Sequence, residues 1–357
     1  MKHKLLLLLA LVALAFFACR TGPAIDFDAD PPELGPANSI SAAGATPRLR
    51  TTYVMPEPHQ TVHAKPDSDA LYIKGVTNNR VVRDTKFVVH GGRAGVITDV
   101  KAHHTNFLVE NVIVRNADLW GFQLHGMESV VFRQVLVRNS EREHGGYTRI
   151  WGTALFEDVT AINCAAQGWQ VRLEGNRSDP HWADEKRIEF VRFTALECGQ
   201  LRGAGRAGFA LSVKDSGPNS DVIIEDALIR TVNQDAVYKN SSGVWCESFG
   251  GICVEFCRSV TITGGYVEME APSAREAVQL FDYARNDADN TGPQNIVVDG
   301  LTIAQGGCIA VRLGDADSIT IKNCISLGGG KIKLFARDAK GVWRLSKSVP
   351  LDAGWQS

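Results

Sequence analysis

The sequence predicts an all-β fold, a single-stranded right-handed parallel β-helix closed by a C-terminal capping hairpin. Three observations predict it. A short apolar string returns along the chain, a second kind of short strand follows glycine, and the composition suits a large buried core. Of 357 residues, 44% are hydrophobic and 22% charged, which excludes a disordered chain.

The returning string is clearest in Leu108-Val109-Glu110-Asn111-Val112-Ile113-Val114-Arg115-Asn116 and Val131-Phe132-Arg133-Gln134-Val135-Leu136-Val137-Arg138-Asn139. Its fourth residue falls at Asn111, Gln134, Asp158, Arg192, Asp226, Gly265, Gly300 and Asn323, at intervals of 23, 24, 34, 34, 39, 35 and 23. The short interval is about one turn of a solenoid, and the longer ones are the same turn with a loop inserted.

Each copy holds two short apolar strands around a polar bend. A third strand follows, usually after glycine, as in Gly121-Phe122-Gln123-Leu124-His125 and Gly168-Trp169-Gln170-Val171-Arg172. Three strands per turn with period-2 alternation give three parallel sheets around a narrow core, with equivalent residues stacked about 4.8 Å apart. The expected inward residues are Val112, Val114, Phe122, Leu124, Val135, Val137, Trp169, Val171, Phe209, Leu211, Ile252, Val254, Ile309 and Val311. Asn116, Asn139 and Asn163 share a column and are expected to hydrogen-bond along it. A β-sandwich also has short, evenly spaced strands but does not explain one string returning in register. Lys331 to Leu345 reads as a hairpin around Asp338-Ala339-Lys340-Gly341 that covers the last turn.

The chain opens with Lys2, His3 and Lys4, then a 13-residue apolar run from Leu5 to Phe17. That is short for a membrane span and right for a signal peptide. Ala18-Cys19 resembles the lipobox of bacterial lipoproteins, which implies lipidation at Cys19 and a location in the cell envelope, lipid-anchored, periplasmic or secreted. Residues 20–60 are rich in Pro, Ala, Gly and Ser and read as a tether. The expected organisation is a signal peptide over 1–18, anchor and linker over 19–60, β-helix over 61–327 and cap over 328–357. Cys19 aside, seven cysteines remain, an odd number without zinc-ligand spacing. Buried thiols are the expectation, with Cys164 and Cys198 as neighbours filling one layer.

Asn106-Phe107-Leu108-Val109-Glu110-Asn111-Val112-Ile113-Val114 and Ser318-Ile319-Thr320-Ile321-Lys322-Asn323 resemble the repeats of the pectate-lyase-like superfamily, over roughly residues 70–327. The resemblance implies the fold and a substrate lying along the post-glycine strands. Many activities share this scaffold, so it names no activity.

Alternation along those strands predicts two outward columns. One runs through Gln123, Arg149, Gln170, Ala210, Cys253, Gln279 and Ala310, the other through His125, Trp151, Arg172, Ser212, Glu255, Phe281 and Arg312. Glu174, Lys214, Asp215, Asp282 and Arg285 lie just beyond. Arginine grips carboxylates bidentately, tryptophan stacks on sugar rings, and amides bind hydroxyls. The face therefore suits an extended anionic polysaccharide, although solvated polar rungs are the ordinary use of such positions. With a net charge of −2, no global field favours nucleic acid, and a monomer is expected.

Polysaccharide lysis by β-elimination needs a base and positive charge near the uronate carboxylate. Arg149, Arg172, Lys214 and His125 supply these. Gln123, Trp151, Gln170, Glu174, Glu255, Gln279 and Arg312 are the expected substrate contacts. A hydrolase needs paired carboxylates, and Asp235 and Asp282 are isolated candidates. Lys239 with Tyr238 is a second candidate base. Calcium through Glu174, Asp215 or Glu255 is an option, without a dedicated loop pattern. The competing class is a non-catalytic glycan-binding or structural surface lipoprotein.

Overall fold

A computed structural model describes residues 58–173, 180–199, 208–214, 216–231, 237–239, 245–247, 249–269, 276–281, 292–305 and 307–357. The expected signal segment, Cys19 and most of the linker lie outside the described residues. So do Glu174, Asp215, Asp235, Asp282 and Arg285.

The described chain is all-β, with one large, mostly parallel sheet and two short 3-10 turns, Pro180–Ala183 and Leu351–Ala353. Among the described residues no helix is long and apolar enough to cross a membrane. The strands stack in three columns. A post-glycine column passes through Ala94–Thr98, Trp169–Leu173, Gly208–Lys214 and Cys308–Arg312. A middle column includes Lys186–Val191 and Gly217–Glu225, and a third includes Thr194–Leu196 and Leu228–Thr231. Trp120–Ser140 and Gly146–Cys164 each run through all three columns. Among the described residues between 71 and 327 this unit occurs nine times, an arrangement compatible with a β-helix.

The bend between middle and third columns explains the repeat. Asp84, Asn111, Gln134, Asp158, Arg192, Asp226 and Asn323 all have φ between 50° and 58°. Asn and Asp tolerate this left-handed conformation, and glycine adopts it without strain. Gly264, rather than the expected Gly265, stacks between Asp226 and Gly300, because Glu225 pairs with Thr263 and Thr263 with Asp299. The asparagine column is present. Asn163 Nδ2 donates to Asn139 Oδ1, and Asn139 Nδ2 to Asn116 Oδ1, each at 2.8 Å.

All fourteen expected inward residues are buried. Phe132, Phe156 and Phe190 stack ring on ring at 5.1 and 4.5 Å, and Trp169 packs against Phe122, Phe132 and Phe156. Cys164 and Cys198 are buried thiols in contact. At the C-terminus Lys331–Arg337 lies parallel on Cys308–Arg312 and antiparallel to Trp343–Pro350, with the expected turn at Asp338–Gly341.

Outside the middle column, side chains from adjacent turns alternate in charge. Arg83 Nε meets Glu110 Oε2 at 2.7 Å, Arg133 Nε meets Glu157 Oε2 at 2.8 Å, and Arg192 reaches Glu157 at 3.0 Å and Asp158 at 2.8 Å. The Arg133 hydrogen bond holds the Glu157 carboxyl below its ordinary range, and the Asp158 hydrogen bond holds the Arg192 guanidinium above its own.

Candidate functional site

The post-glycine strands present the expected outward face, in a register two residues away from the expected one at two turns. The rung between Gln123 and Gln170 is Tyr147, not Arg149. Gln170 then pairs with Ser212, not Ala210, and Ser212 with Cys253, followed by Gln279 and Ala310.

Trp169 causes the first displacement. Its inward neighbours on the preceding turn are Gly146 and Thr148. The indole occupies the space where a Gly146 side chain would stand, and its Nε1 donates to Thr148 Oγ1 at 3.1 Å. One large ring fills two turns' worth of core, so this turn shows none of the expected apolar alternation. The second displacement comes from aligning Gly208 with Gly168, since Trp169 pairs with Leu211. A slip of two residues preserves which face each side chain takes. The inward set therefore stands while the columns change.

The corrected register gathers the charged residues. Arg149 pairs with Arg172, and Arg172 with Lys214. These three cations occupy successive rungs about 4.8 Å apart. Glu255 follows, its Oε1 3.3 Å from Lys214 Nζ. Both arginines and Lys214 are half-buried, and Glu255 is buried.

An aromatic and imidazole cluster lies beside this run. Arg149 Nε donates to the Tyr147 phenol oxygen at 2.8 Å, and its guanidinium lies 5.5 Å from the ring centre. His144 stacks on Tyr147 at 5.7 Å, and His125 meets it edge-on at 5.8 Å. His144 Nδ1 accepts from the Gln167 backbone N–H at 3.2 Å, which puts a neutral ring's proton on Nε2, 3.7 Å from Glu143 Oε2. His125 and His144 are both buried. His125 does not extend the outward column with Trp151. The ladder slips between Leu124 and Met127, where Gly126 has φ 66°.

Trp151 lies where Gly146–Cys164 passes from the post-glycine column to the middle column, stacked on His103 at 5.4 Å and edge-on to His181 at 4.7 Å. The turn carrying His181 is pinned by Lys186, whose buried Nζ donates to the His181 and Asp184 carbonyls at 2.9 Å and to that of Trp182 at 3.3 Å. Trp182 stacks on Phe256 at 5.7 Å. These rings form a partly exposed shelf beside the cations.

Other expected contacts sit elsewhere. Arg312 is buried between the Phe281 and Trp343 rings, 4.4 and 4.8 Å from their centres, a packing role rather than an open surface. Gln279 is buried and donates to the Phe281 carbonyl at 2.8 Å. The backbone of Tyr238 and Lys239 belongs to a separate two-stranded sheet, paired with Trp245 and Cys246. Among the described residues no three acidic, histidine or cysteine side chains gather as metal ligands.

Tyr147 and His144 were missed because the Gly145-Gly146 pair opens this turn without an apolar residue. The pair itself was the available signal, since alternation from Gly146 puts Tyr147 and Arg149 outward. The chain matches no family model, and comparison with curated proteins and with solved structures finds no match.

Proposed function

We propose that the chain is a right-handed parallel β-helix that cleaves a uronate-containing polysaccharide by β-elimination. The observation that carries the proposal is the run of Arg149, Arg172 and Lys214 on successive rungs beside His125 and Tyr147. Three stacked cations suit a polyanion whose carboxylates repeat along a chain. Arg149 and Arg172 hold a substrate carboxylate and draw electron density from the neighbouring carbon, which makes its proton easier to remove. Lys214 or His125 takes that proton. Gln123 and Gln170 flank the site and bind hydroxyls, and Trp151 stacks against a sugar ring.

The test is ultraviolet absorbance of the unsaturated product, with purified protein screened against uronic-acid polysaccharides. Arg172→Ala and Lys214→Ala are expected to lose roughly 10²–10⁴-fold in rate while staying folded. Saturated products would assign hydrolysis instead. Binding without any cleavage would assign the glycan-binding alternative, which the aromatic shelf also supports. The apolar N-terminal run and Ala18-Cys19 support export with a lipid anchor. Cys19→Ser is expected to move the protein out of the membrane fraction.

A further inference from the structure

We infer that Tyr147 is the proton donor to the departing sugar, a role that rests on the elimination reading and completes it. Elimination needs two proton transfers. A base takes the proton from the carbon beside the carboxylate, and that carbon–hydrogen pair becomes the new carbon–carbon double bond. The neighbouring carbon–oxygen bond then breaks with its electrons on the glycosidic oxygen. A sugar alkoxide is a poor leaving group in water, so this oxygen must receive a proton as it departs.

Tyr147 has the right placement. Its phenol oxygen accepts from Arg149 Nε at 2.8 Å. Its own O–H has no protein acceptor among the described residues. The hydroxyl therefore has its proton to give, while its oxygen is anchored by a residue assigned to the substrate carboxylate. Along the strand Tyr147 stands about 6.6 Å behind Arg149, the rise of two residues, close to where the bond next to a carboxylate held by Arg149 and Arg172 would lie. Gln123 and Gln170 occupy the rungs on either side. The buried His144 ring, oriented by the Gln167 N–H, backs the phenol at 5.7 Å and fixes its plane. After departure the phenolate regains a proton from solvent, and the base releases the one it took, so no other reactant is needed.

The experiment compares wild type with Tyr147→Phe on two substrates. One is a cleavable uronate polymer. The other is a uronoside with a nitrophenolate at the same position, whose departure needs no proton. Phenylalanine keeps the ring between His144 and His125, and circular dichroism checks the fold. The expected result is a loss of roughly 10²–10⁴-fold on the polymer and less than about tenfold on the activated substrate. An equal loss on both would overturn the inference, because it would make Tyr147 a positioning residue. An unchanged rate on the polymer would overturn it too. A wild type that forms no unsaturated product from any uronate polymer would instead remove the elimination reading and the inference together.

Discussion

Two charged ladders run along this molecule, and they are built on opposite rules. Outside the middle column, Arg83, Glu110, Arg133 and Glu157 alternate in sign from turn to turn, and Arg192, at the bend of the next turn, reaches back to Glu157. On the post-glycine face, Arg149, Arg172 and Lys214 follow one another, and the carboxylate of Glu255 comes at the end of the run. The rung spacing is the same in both. Like charges on adjacent rungs repel, and solvent screens part of that. Alternation is what a ladder adopts when it serves the fold alone. On the proposed reading, a run of one sign suits a ligand that carries the opposite charge.

The comparison breaks most sharply if Arg172 is made acidic. Arg172→Glu gives the site the alternating pattern of the other ladder. The expected outcome is a thermal midpoint unchanged or higher, with polyuronate turnover reduced roughly 10³-fold or more. A variant that unfolds more readily would show that this run is also structural.

The reciprocal change is smaller and opposite in kind. Glu157→Lys places a third cation between Arg133 and Arg192 and removes charge-assisted hydrogen bonds to both. Denaturant unfolding should show a loss of roughly 1.5–3 kcal/mol, with the rate on polymer unaffected.

Gly146→Ala tests the core beneath the site. A Cβ there meets the Trp169 indole. Overpacking of this kind costs about 1–3 kcal/mol. It should lower both stability and turnover, since Arg149 and Tyr147 share that strand.

The gentlest test is acid. Glu157 has a lowered folded pKa, first through its Arg133 hydrogen bond. The stability it contributes is therefore complete above the unfolded value of about 4.3, and is lost as pH falls through the lower folded value. Glu157→Gln should flatten the stability-versus-pH curve below about pH 4. A curve that keeps the wild-type slope would place the acid sensitivity elsewhere.

Much of the sheet was legible because its constraints are local and periodic. A bend with positive φ selects Asn, Asp or Gly, so Asn111, Asp226 and Gly300 announce it. Alternation then assigns Phe122 and Leu124 to the core. The site was legible only as a set of residue types. Which residues share a rung depends on register, and register at this turn depends on Trp169 filling the space above Gly146. That is a fact about volume between turns, and no window of one strand contains it. Arg312 fails for a related reason. Its burial comes from Trp343, on the far arm of the C-terminal hairpin.

The pairing distances along the chain carry a last consequence. Each parallel strand meets its partner after a short stretch of sequence, from 23 residues for Asn295 with Ser318 to 42 for Trp169 with Leu211. Contacts this near make loop closure inexpensive at every step. The first-formed turn can serve as a template for the next, so the chain can wind from either end without first bringing distant segments together. A chain threaded outward through a membrane would gain from such an order, because each newly delivered turn finds an edge already waiting for it. Growth of that kind leaves one live edge at any moment, and the hairpin from Lys331 to Pro350 is the segment that retires it.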